Sequence, residues 1–278
     1  MPDLAGLRSR HREDALRRGI SPRDVDLLLG DVLGKSLGYL IAHGDATVTT
    51  KEIERFELLL ARRHAGEPLQ YIRGRAEFFG RDFLVDDRVL IPRPETEVLV
   101  EAALARAPRG GRIADVGTGS GCIAITIERE RPDLRVTATD CSVGALALAS
   151  RNAFALGSCA RFVASDTLAA LDDSFDLIIS NPPYIPSTDV DGLATEVRDH
   201  EPRIALTPGP RGTEVIERIL DQAATRLAPA GLVILEIGYG QEPAIRALAR
   251  DRGWRPAVFL PDLAGIPRVV VLSRDTNG

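Results

Sequence analysis

The residues best suited to chemistry form the tetrapeptide Asn181-Pro182-Pro183-Tyr184, directly after the apolar segment Phe175–Ser180. That segment has the pattern of a buried strand, so the tetrapeptide is expected at a strand's carboxyl end. The side-chain oxygen of Asn181 and the backbone carbonyl of Pro182 can together accept both hydrogens of an amide or amine nitrogen. Tyr184 offers an aromatic face to a flat group. We therefore predict that the tetrapeptide binds a planar nitrogen, although a proline-rich turn would explain these residues taken singly.

The reaction that fits such a loop is the transfer of a methyl group to the bound nitrogen. An amide nitrogen is a poor nucleophile because its lone pair is delocalised into the carbonyl group. Two oxygen acceptors would hold it in line with an electrophilic carbon and stabilise the positive charge that develops on it. Because a sulfonium methyl donor is already activated, no general base with a special pKa is needed. We predict that Asn181, Pro182 and Tyr184 are the catalytic residues.

A second candidate site is the glycine loop Asp115–Gly121, which lies between a predicted strand and a predicted helix. Glycines let the backbone turn sharply and approach a ligand closely. The alternative is a nicotinamide or flavin site, but its G-x-G-x-x-G fingerprint requires a glycine where Cys122 stands. Alternating glycines after an acidic residue suit a ligand without a pyrophosphate, so we predict a site for S-adenosylmethionine. The residues of this predicted site are Gly117, Thr118, Gly119, Ser120 and Gly121.

Two aspartates extend the predicted cofactor site. Asp140 ends the second predicted strand, close to the usual distance of about 20 residues from such a loop. Its carboxylate could accept hydrogen bonds from both ribose hydroxyls, although an aspartate here could instead cap the following helix. Asp166 follows the third predicted strand, where its side chain could face the adenine.

Strands and helices alternate over the last two thirds of the chain. Strands are predicted at Arg112–Val116, Arg135–Thr139, Arg161–Val163, Asp176–Ser180, Leu232–Ile237, Arg255–Phe259 and Arg268–Leu272. Helices are predicted at Cys122–Glu130, Val143–Leu156, Thr213–Leu227 and Gln241–Arg252. This order predicts an α/β Rossmann-like fold whose mostly parallel sheet is covered on both faces. Ligands of such sheets bind beyond the carboxyl ends of the strands, where the loops described above lie.

The first 72 residues are predicted to form small amphipathic helices. Ser21 with Pro22 has the pattern of a helix start, and Thr49 with Glu52 has the pattern of a capping box. Because this region has no cluster of titratable groups, we predict a bundle that recognises a partner.

Residues 73–92 are predicted to form a β-hairpin linker, because two short extended segments flank Gly80. The sequence Ile91–Pro94 is expected to be an extended hinge, since residues that precede proline avoid helical geometry. A helix is predicted to follow from Glu95 to Arg106. Residues 93–278 then form the predicted catalytic domain.

Charge and composition exclude several classes of protein. The net charge is −5, and residues 76–278 carry 22 basic and 29 acidic side chains, a net −7. Direct nucleic-acid binding is therefore not expected, because such surfaces depend on clustered Lys and Arg. The three cysteines and four histidines are scattered, so no metal site is predicted. The sequence has neither a signal peptide nor a membrane-spanning run, which predicts a cytoplasmic protein.

Several short motifs are spread along the chain. They are Gly66–Leu69, Glu77–Phe79, Leu90–Pro94 with Glu95 and Glu97, the glycine loop, Ser180–Ile185, Glu196–Arg198 with His200–Pro202, Leu235–Gly238, and Asp262–Gly265 with Arg268. With these motifs, nearly the whole chain resembles the release factor glutamine methyltransferase family.

The resemblance implies a fold and a substrate. The fold would be a seven-stranded class I methyltransferase domain with a small N-terminal helical domain and a hairpin linker. The substrate would be the glutamine of the Gly-Gly-Gln loop in peptide-chain release factors, methylated by a monomeric enzyme. Asn181 would touch both cofactor and glutamine, and Pro183 would help to complete the glutamine pocket. Arg93 and Glu97 could line that pocket or pair to stabilise the hinge.

One position departs from the family pattern. Family members often have a tryptophan after the aspartate that matches Asp166, stacked near the adenine, whereas this chain has Thr167. The departure puts stacking on the adenine in doubt, although a main-chain contact by Thr167 could persist.

Four other functions compete with this interpretation. A glutamine methyltransferase acting on a ribosomal protein has similar motifs, and amino-methylating DNA or RNA enzymes use the same tetrapeptide on a base amine. The acidic balance of residues 76–278 disfavours the nucleic-acid enzymes. A nicotinamide-dependent oxidoreductase is disfavoured by the alternating glycines. A non-catalytic adaptor would bind neither S-adenosylhomocysteine nor nicotinamide cofactors, so a binding titration separates these classes.

Overall fold

The computed structural model describes residues 2–255 and 258–274, which form two compact units. The first unit contains the residues up to Gly74 together with Thr195–His200, and the second contains Arg75–Ala194 and the residues from Glu201 onwards. The hairpin thus belongs to the second unit, and a six-residue helix from the later chain belongs to the first.

The described elements fall into a helical part and an alternating part. The helices are α1 (Leu4–Arg17), α2 (Pro22–Leu33), α3 (Leu37–Ala42), α4 (Thr50–His64), α5 (Leu69–Arg73), α6 (Glu97–Leu104), α7 (Cys122–Glu130), α8 (Val143–Leu156), α9 (Thr195–His200), α10 (Arg203–Leu206), α11 (Glu214–Ala223) and α12 (Glu242–Asp251). The strands are β1 (Arg75–Phe78), β2 (Arg81–Leu84), β3 (Arg112–Val116), β4 (Arg135–Asp140), β5 (Arg161–Ala164), β6 (Phe175–Ser180), β7 (Leu227–Glu236), β8 (Val258–Pro261) and β9 (Pro267–Ser273). None of the helices in the described ranges is long and apolar enough to cross a membrane.

The first unit is a helical bundle whose helix starts follow the predicted capping chemistry. The Ser21 side chain accepts from the backbone N–H of Arg23 at the start of α2. Thr49 and Glu52 form a reciprocal capping box at the start of α4, as predicted. Apolar side chains such as Leu28 and Phe56 are fully buried in its core.

One charged cluster lies within this first unit. The guanidinium of Arg63 on α4 donates to Asp24 on α2 at 2.8 Å and to Glu196 on α9 at 2.6 Å. Both Arg63 and Asp24 are buried, so each charge requires its partner. This cluster explains why Thr195–His200 packs with the helical unit.

The second unit is built on the predicted seven-stranded sheet, in the order β5-β4-β3-β6-β7-β9-β8. The first five strands in this order, β5-β4-β3-β6-β7, run parallel to their neighbours. Strand β9 is antiparallel to both β7 and β8. A separate two-stranded hairpin joins β1 to β2. The prediction of an α/β fold with a mostly parallel sheet is therefore confirmed.

Apolar residues cover both faces of this sheet, because successive side chains of a strand point to opposite faces. Ile113 of β3 packs in a cluster with residues of α6 and α7, whereas the next residue, Ala114, packs with residues of α11 and α12. The strands are consequently fixed from both sides, and their carboxyl ends become rigid supports for the loops.

Four strand ends meet at the edge where the site was predicted. They are Val116 of β3, Asp140 of β4, Ser180 of β6 and Glu236 of β7. The hydroxyl of Ser180 donates to the carbonyl oxygen of Val116 at 2.6 Å. This bond joins the end of β6, before the tetrapeptide, to the end of β3, in the glycine loop. The fold therefore brings the glycine loop and the tetrapeptide side by side.

Some predicted boundaries differ from the observed ones. The helix predicted to end at Leu227 ends at Ala223, and β7 begins at Leu227, five residues before the predicted start. Phe175 pairs with Leu227, and the register between β6 and β7 is irregular at this point. The pairing includes residues 228–231 in β7, although their sequence has the pattern of a turn. The strand predicted from Arg255 begins at Val258, and positions 256 and 257 lie outside the described residues.

Candidate active site

A cavity of about 400 Å³ opens at the carboxyl edge of the sheet, within the second unit. This volume lies in the usual range for small-molecule sites. The predicted site residues that line it are Arg93, Gly117, Thr118, Gly119, Ser120, Asp140, Asp166, Thr167, Asn181, Pro182 and Pro183. Gly121, Tyr184 and Glu97 do not line it.

The glycine loop is held in a conformation that needs glycine. Gly117, Gly119 and Gly121 all have positive φ, at 73°, 55° and 81°. The backbone N–H groups of Gly117 and Thr118 both donate to the carbonyl of Thr139, at 2.8 and 2.9 Å. A Cβ added to Gly117 or Gly119 would meet no protein atom within 4 Å. These two glycines therefore leave open space at the cavity, where a ligand can approach the backbone.

Gly121 does not line the cavity, and its predicted contact with the cofactor stays a prediction. It lies at the start of α7, and a Cβ there would stand 2.8 Å from Ile125 Cδ1 and 3.1 Å from Ala149 Cβ. Its missing side chain lets α7 pack closely against α8, so Gly121 positions the loop from behind the cavity wall.

Asp140 lines the cavity and links the glycine loop to the start of α8. One carboxylate oxygen accepts from the backbone N–H of Gly119 at 2.9 Å, and the other accepts from the N–H of Ser142 at 2.8 Å. The residue that caps α8 is Ser142, whose hydroxyl accepts from Ala145 N. Because each carboxylate oxygen has two lone pairs, Asp140 can still accept from ribose hydroxyls.

Asp166 and Thr167 also line the cavity. Asp166 is largely exposed and pairs with Arg218 at 3.3 Å. Thr167 is buried with a φ of 55°, an unusual conformation for a β-branched residue. Its hydroxyl and the N–H of Leu168 both donate to Gln222 Oε1 at 2.7 Å. The Thr167 side chain is thus held by α11, and contact with an adenine would fall to other atoms of this turn.

The tetrapeptide carries two oxygens that accept no hydrogen bond from the described residues. The side-chain nitrogen of Asn181 donates to the hydroxyl of Thr96 at 3.1 Å. In the part of the chain that the structure describes, no donor reaches Asn181 Oδ1 or the carbonyl oxygen of Pro182. Both residues line the cavity, and both oxygens keep their lone pairs available as acceptors.

Tyr184 lies behind the loop, outside the cavity lining. Its backbone carbonyl accepts from Gln241 Nε2 at 3.0 Å, and Gln241 Oε1 accepts from Gly238 N at 2.8 Å. The Tyr184 hydroxyl donates to Glu236 Oε1 at 3.4 Å. Burial raises the pKa of this phenol, with the nearby Glu236 carboxylate as the second cause. Tyr184 thus anchors the loop; its predicted role as an aromatic face for the acceptor stays a prediction.

The hinge residues take separate partners. Arg93 lines the cavity and forms an ion pair with the buried carboxylate of Glu201. Glu97 instead begins α6 and accepts from the backbone N–H of Phe79 in the hairpin at 2.8 Å. The interpretation of Glu97 as a pocket residue, or as the partner of Arg93, therefore finds no support in the geometry, because the hairpin tip presents its N–H to this carboxylate.

Two further residues, Thr96 and Glu236, are linked to Asn181 by hydrogen bonds, and neither of them was predicted from the sequence. The hydroxyl of Thr96 donates to Glu236 Oε2 at 2.7 Å, and both residues are 2% exposed. A charged residue at the end of the apolar run Leu232–Leu235 was an available signal, because a buried carboxylate needs partners. Thr96 carried no signal of its own.

Burial raises the pKa of Glu236 from 4.5 to about 7, although hydrogen bonds from Thr96 and Tyr184 and the charge of Arg268 oppose this shift. Glu95 adds a like charge. Burial also raises the pKa of Cys122, which faces this carboxylate from α7, to about 12. The folded protein therefore binds the Glu236 proton more tightly than the unfolded chain does.

This shift predicts how stability changes with pH. Glu236 contributes most to the free energy of unfolding below pH 4.5, and this contribution declines as the pH rises to about 7. We therefore compare the free energy of unfolding of Glu236→Gln with that of the unmodified protein. This difference should shift in favour of the variant by up to about 3 kcal/mol as the pH is raised from 4.5 to 8. Urea unfolding followed by fluorescence of the buried Trp254 measures this difference. The exposed Glu54→Gln is the control and should show no such trend; an equal trend in both variants would contradict the assignment.

The residues around the glycine loop fit a nucleoside. The open space beside Gly117 and Gly119 admits a ligand close to the backbone, and Asp140 can accept from a ribose. Among the residues in the described ranges, no cluster of His, Cys, Asp and Glu could hold a metal. The cavity is thus lined both by a glycine loop with room for a ligand and by two residues whose oxygens have no donor among the described residues.

Comparison with known proteins identifies relatives of both units. The chain matches the methyltransferase small domain over residues 94–200 and the PrmC N-terminal domain over residues 11–74. It is 45% identical to the release factor glutamine methyltransferase of Koribacter versatilis, covering 92% of this chain and 93% of that one. It is 43% identical to that of Bradyrhizobium diazoefficiens, covering 96% and 90%.

A solved structure supports the fold. A methyltransferase from Pyrococcus furiosus superposes with a TM-score of 0.54 at 20% identity, covering 77% of this chain and 96% of that one. The seven-stranded unit is therefore a class I methyltransferase fold.

Proposed function

Because the chain belongs to the release factor glutamine methyltransferase family, we propose that it methylates the side-chain amide nitrogen of the glutamine in the Gly-Gly-Gln loop of peptide-chain release factors. The methyl donor would be S-adenosylmethionine. The observation that carries this proposal is a pair of oxygens, Asn181 Oδ1 and Pro182 O, on two residues that line the cavity; neither oxygen has a donor among the described residues.

The chain's own residues divide the work between the glycine loop and the tetrapeptide. Gly117, Gly119 and Asp140 would hold the cofactor, which supplies a methyl group on a positively charged sulfur. At the tetrapeptide, Asn181 Oδ1 and Pro182 O would each accept one N–H of the glutamine amide. These contacts would leave the nitrogen lone pair free for the methyl group and stabilise the positive charge as the nitrogen gains it. The nitrogen then loses a proton to water.

The direct test is to incubate the enzyme with labelled S-adenosylmethionine and an intact release factor. Mass spectrometry should place one methyl group on the glutamine of the Gly-Gly-Gln loop. A release factor with that glutamine replaced by alanine should take up no label. Ribosomal proteins and RNA, offered under the same conditions, serve as competing acceptors. Label on one of these, with none on the release factor, would refute the proposed substrate.

We further propose that the first unit docks the protein substrate. Its described residues contain no group of His, Cys, Asp and Glu that could hold a metal, and its match to the PrmC N-terminal domain supports a recognition role. The enzyme would act as a monomer in the cytoplasm, on the factor itself and without binding nucleic acid directly.

A fragment that starts at Arg75 tests this docking role. For the full chain, kcat/KM should be at least about tenfold higher for a whole release factor than for a short Gly-Gly-Gln peptide, because docking adds binding energy of about 1.4 kcal/mol or more. In the fragment this preference should disappear. Taking the ratio removes any general loss of activity caused by truncation. If the fragment keeps the full preference, the first unit does not dock the substrate.

A further inference from the structure

We propose that Thr96 and Glu236 are positioning residues that fix the orientation of the Asn181 side-chain amide, so that its oxygen faces the acceptor nitrogen. The inference rests on the proposed function, because it assigns these residues to the same acceptor site. It follows from a chain of hydrogen bonds that runs from Asn181 through Thr96 to Glu236.

The direction of this chain is set by the number of hydrogens available. A threonine hydroxyl has a single hydrogen, and Thr96 gives it to Glu236 Oε2 at 2.7 Å. An ionised carboxylate can only accept, so the hydrogen has to point towards Glu236. The hydroxyl oxygen of Thr96 can then only accept from Asn181, which therefore presents its NH2 group at 3.1 Å.

The consequence for the acceptor is direct. With its NH2 group turned to Thr96, Asn181 must point Oδ1 the other way, where no protein donor in the described ranges reaches it. A flipped amide would set the NH2 of Asn181 against the N–H groups of the incoming nitrogen, donor against donor. That arrangement forfeits the hydrogen bond and disfavours the aligned nitrogen.

Glu236 is held in place for this task from two sides. It ends β7, the Tyr184 hydroxyl donates to its second oxygen, and its side chain is buried. When Glu236 is protonated, its own hydrogen can be given to Thr96, and Thr96 can then donate to Asn181 Oδ1. The ionised carboxylate is thus the form that keeps the amide oriented. Arg268 and Glu95 also face this carboxylate and act on it with opposite sign.

The test compares Thr96→Val, which keeps the shape but removes the hydroxyl, with Thr96→Ser, which keeps the hydroxyl. For methylation of an intact release factor, kcat of Thr96→Val should fall by at least about thirtyfold, since misaligned reactants lose factors of this size. Its affinity for S-adenosylhomocysteine should stay within about fivefold. Thr96→Ser should recover kcat to within about fivefold of the unmodified enzyme.

Thr126→Val is the matched control. Thr126 on α7 is fully buried, and its hydroxyl has no partner among the described residues. The substitution Thr126→Val therefore removes a buried threonine hydroxyl that takes no part in the hydrogen bonds from Asn181 to Glu236. The kcat of this variant should equal that of the unmodified enzyme. The kcat of the unmodified enzyme should also rise with pH through about 7 and then level, and this rise should be absent in Glu236→Gln.

A second measurement does not depend on methylation. The chain has three asparagines, so selective ¹⁵N labelling gives few side-chain amide signals, and Asn181→Ala identifies the one of interest. In protein bound to S-adenosylhomocysteine, one Hδ2 proton of Asn181 should show the shift of a hydrogen-bonded proton. That signature should be lost in Thr96→Val and kept in Thr96→Ser.

The outcomes separate the two proposals. If no glutamine is methylated but the signature behaves as stated, the proposed function fails while the orientation of Asn181 stands. The positioning role is overturned if Thr96→Val keeps kcat within about threefold, or if Thr96→Ser is as impaired as Thr96→Val. It is equally overturned if the Asn181 signature survives in Thr96→Val.

Discussion

Asn181→Ala is expected to reduce kcat for release factor methylation by at least about a thousandfold, the upper part of the range for a lost charge-stabilising contact. The substitution removes Oδ1, one of the two oxygens that would orient the glutamine nitrogen. It also leaves the Thr96 hydroxyl without the amide that it accepts from. Affinity for S-adenosylhomocysteine should stay within about tenfold, because the glycine loop and Asp140 remain.

A radiolabelled methyl assay measures kcat, and calorimetry measures the affinity for S-adenosylhomocysteine. Thr188→Ala is the control variant, since Thr188 is exposed on the same loop and its hydroxyl contacts only Asp189 among the described residues. It should retain full activity. Turnover by Asn181→Ala at the rate of the unmodified enzyme would show that Oδ1 does not orient the acceptor.

Asp140→Ala is expected to weaken binding of S-adenosylmethionine between about thirtyfold and three hundredfold, with kcat at saturating cofactor changed little. The carboxylate would accept from the ribose, and it also holds the N–H of Gly119 in the glycine loop. Such contacts are the same in the ground state and the transition state, so their loss acts on binding rather than on the chemical step.

Asp166→Ala compares the other aspartate of the predicted cofactor site with Asp140. Asp166 lines the same cavity, but its carboxylate is largely exposed and pairs with Arg218. Its loss should weaken cofactor binding by less than about fivefold, since exposed ion pairs contribute little. Equal affinity of Asp140→Ala and the unmodified enzyme would remove Asp140 from the cofactor site.

Local signals in the sequence located several elements well. Helices α7 and α8 have the predicted bounds, because Gly121 and Ser142 mark their starts and Gly157 in a left-handed conformation ends α8. The sheet and the placement of the glycine loop followed from the alternation of strands and helices. Because ligands bind at the carboxyl ends of parallel strands, the loops at Gly117, Asp140 and Asn181 could be assigned to one edge.

Contacts between residues far apart in sequence could not be predicted in the same way. Thr96 and Glu236 are separated by 140 positions, and neither residue type alone indicates the hydrogen bond between them. The same limit applies to Arg63 and Glu196, 133 positions apart, which place α9 with the first unit. A single sequence shows which residues are polar but not which polar groups meet once the chain is folded.

Side-chain direction was the other point that the sequence left open. The sequence did not indicate that the Tyr184 hydroxyl contacts Glu236 or that its carbonyl accepts from Gln241, while its predicted aromatic face for the acceptor stays a prediction. Glu97 turns to the hairpin because an N–H of the tight turn at Phe79, with φ of 51°, lies within reach. In both cases the position in the motif was informative, but the local backbone determined what the side chain contacts.

The central claim is that Asn181 Oδ1 and Pro182 O bind the two amide hydrogens of the substrate glutamine. A crystal structure of the enzyme with S-adenosylhomocysteine and a release factor tests it most directly. We predict that both oxygens lie about 2.9 Å from the glutamine side-chain nitrogen, with that nitrogen facing the cofactor sulfur. A glutamine amide bound elsewhere, or Asn181 with its NH2 group turned towards the glutamine nitrogen, would contradict the claim.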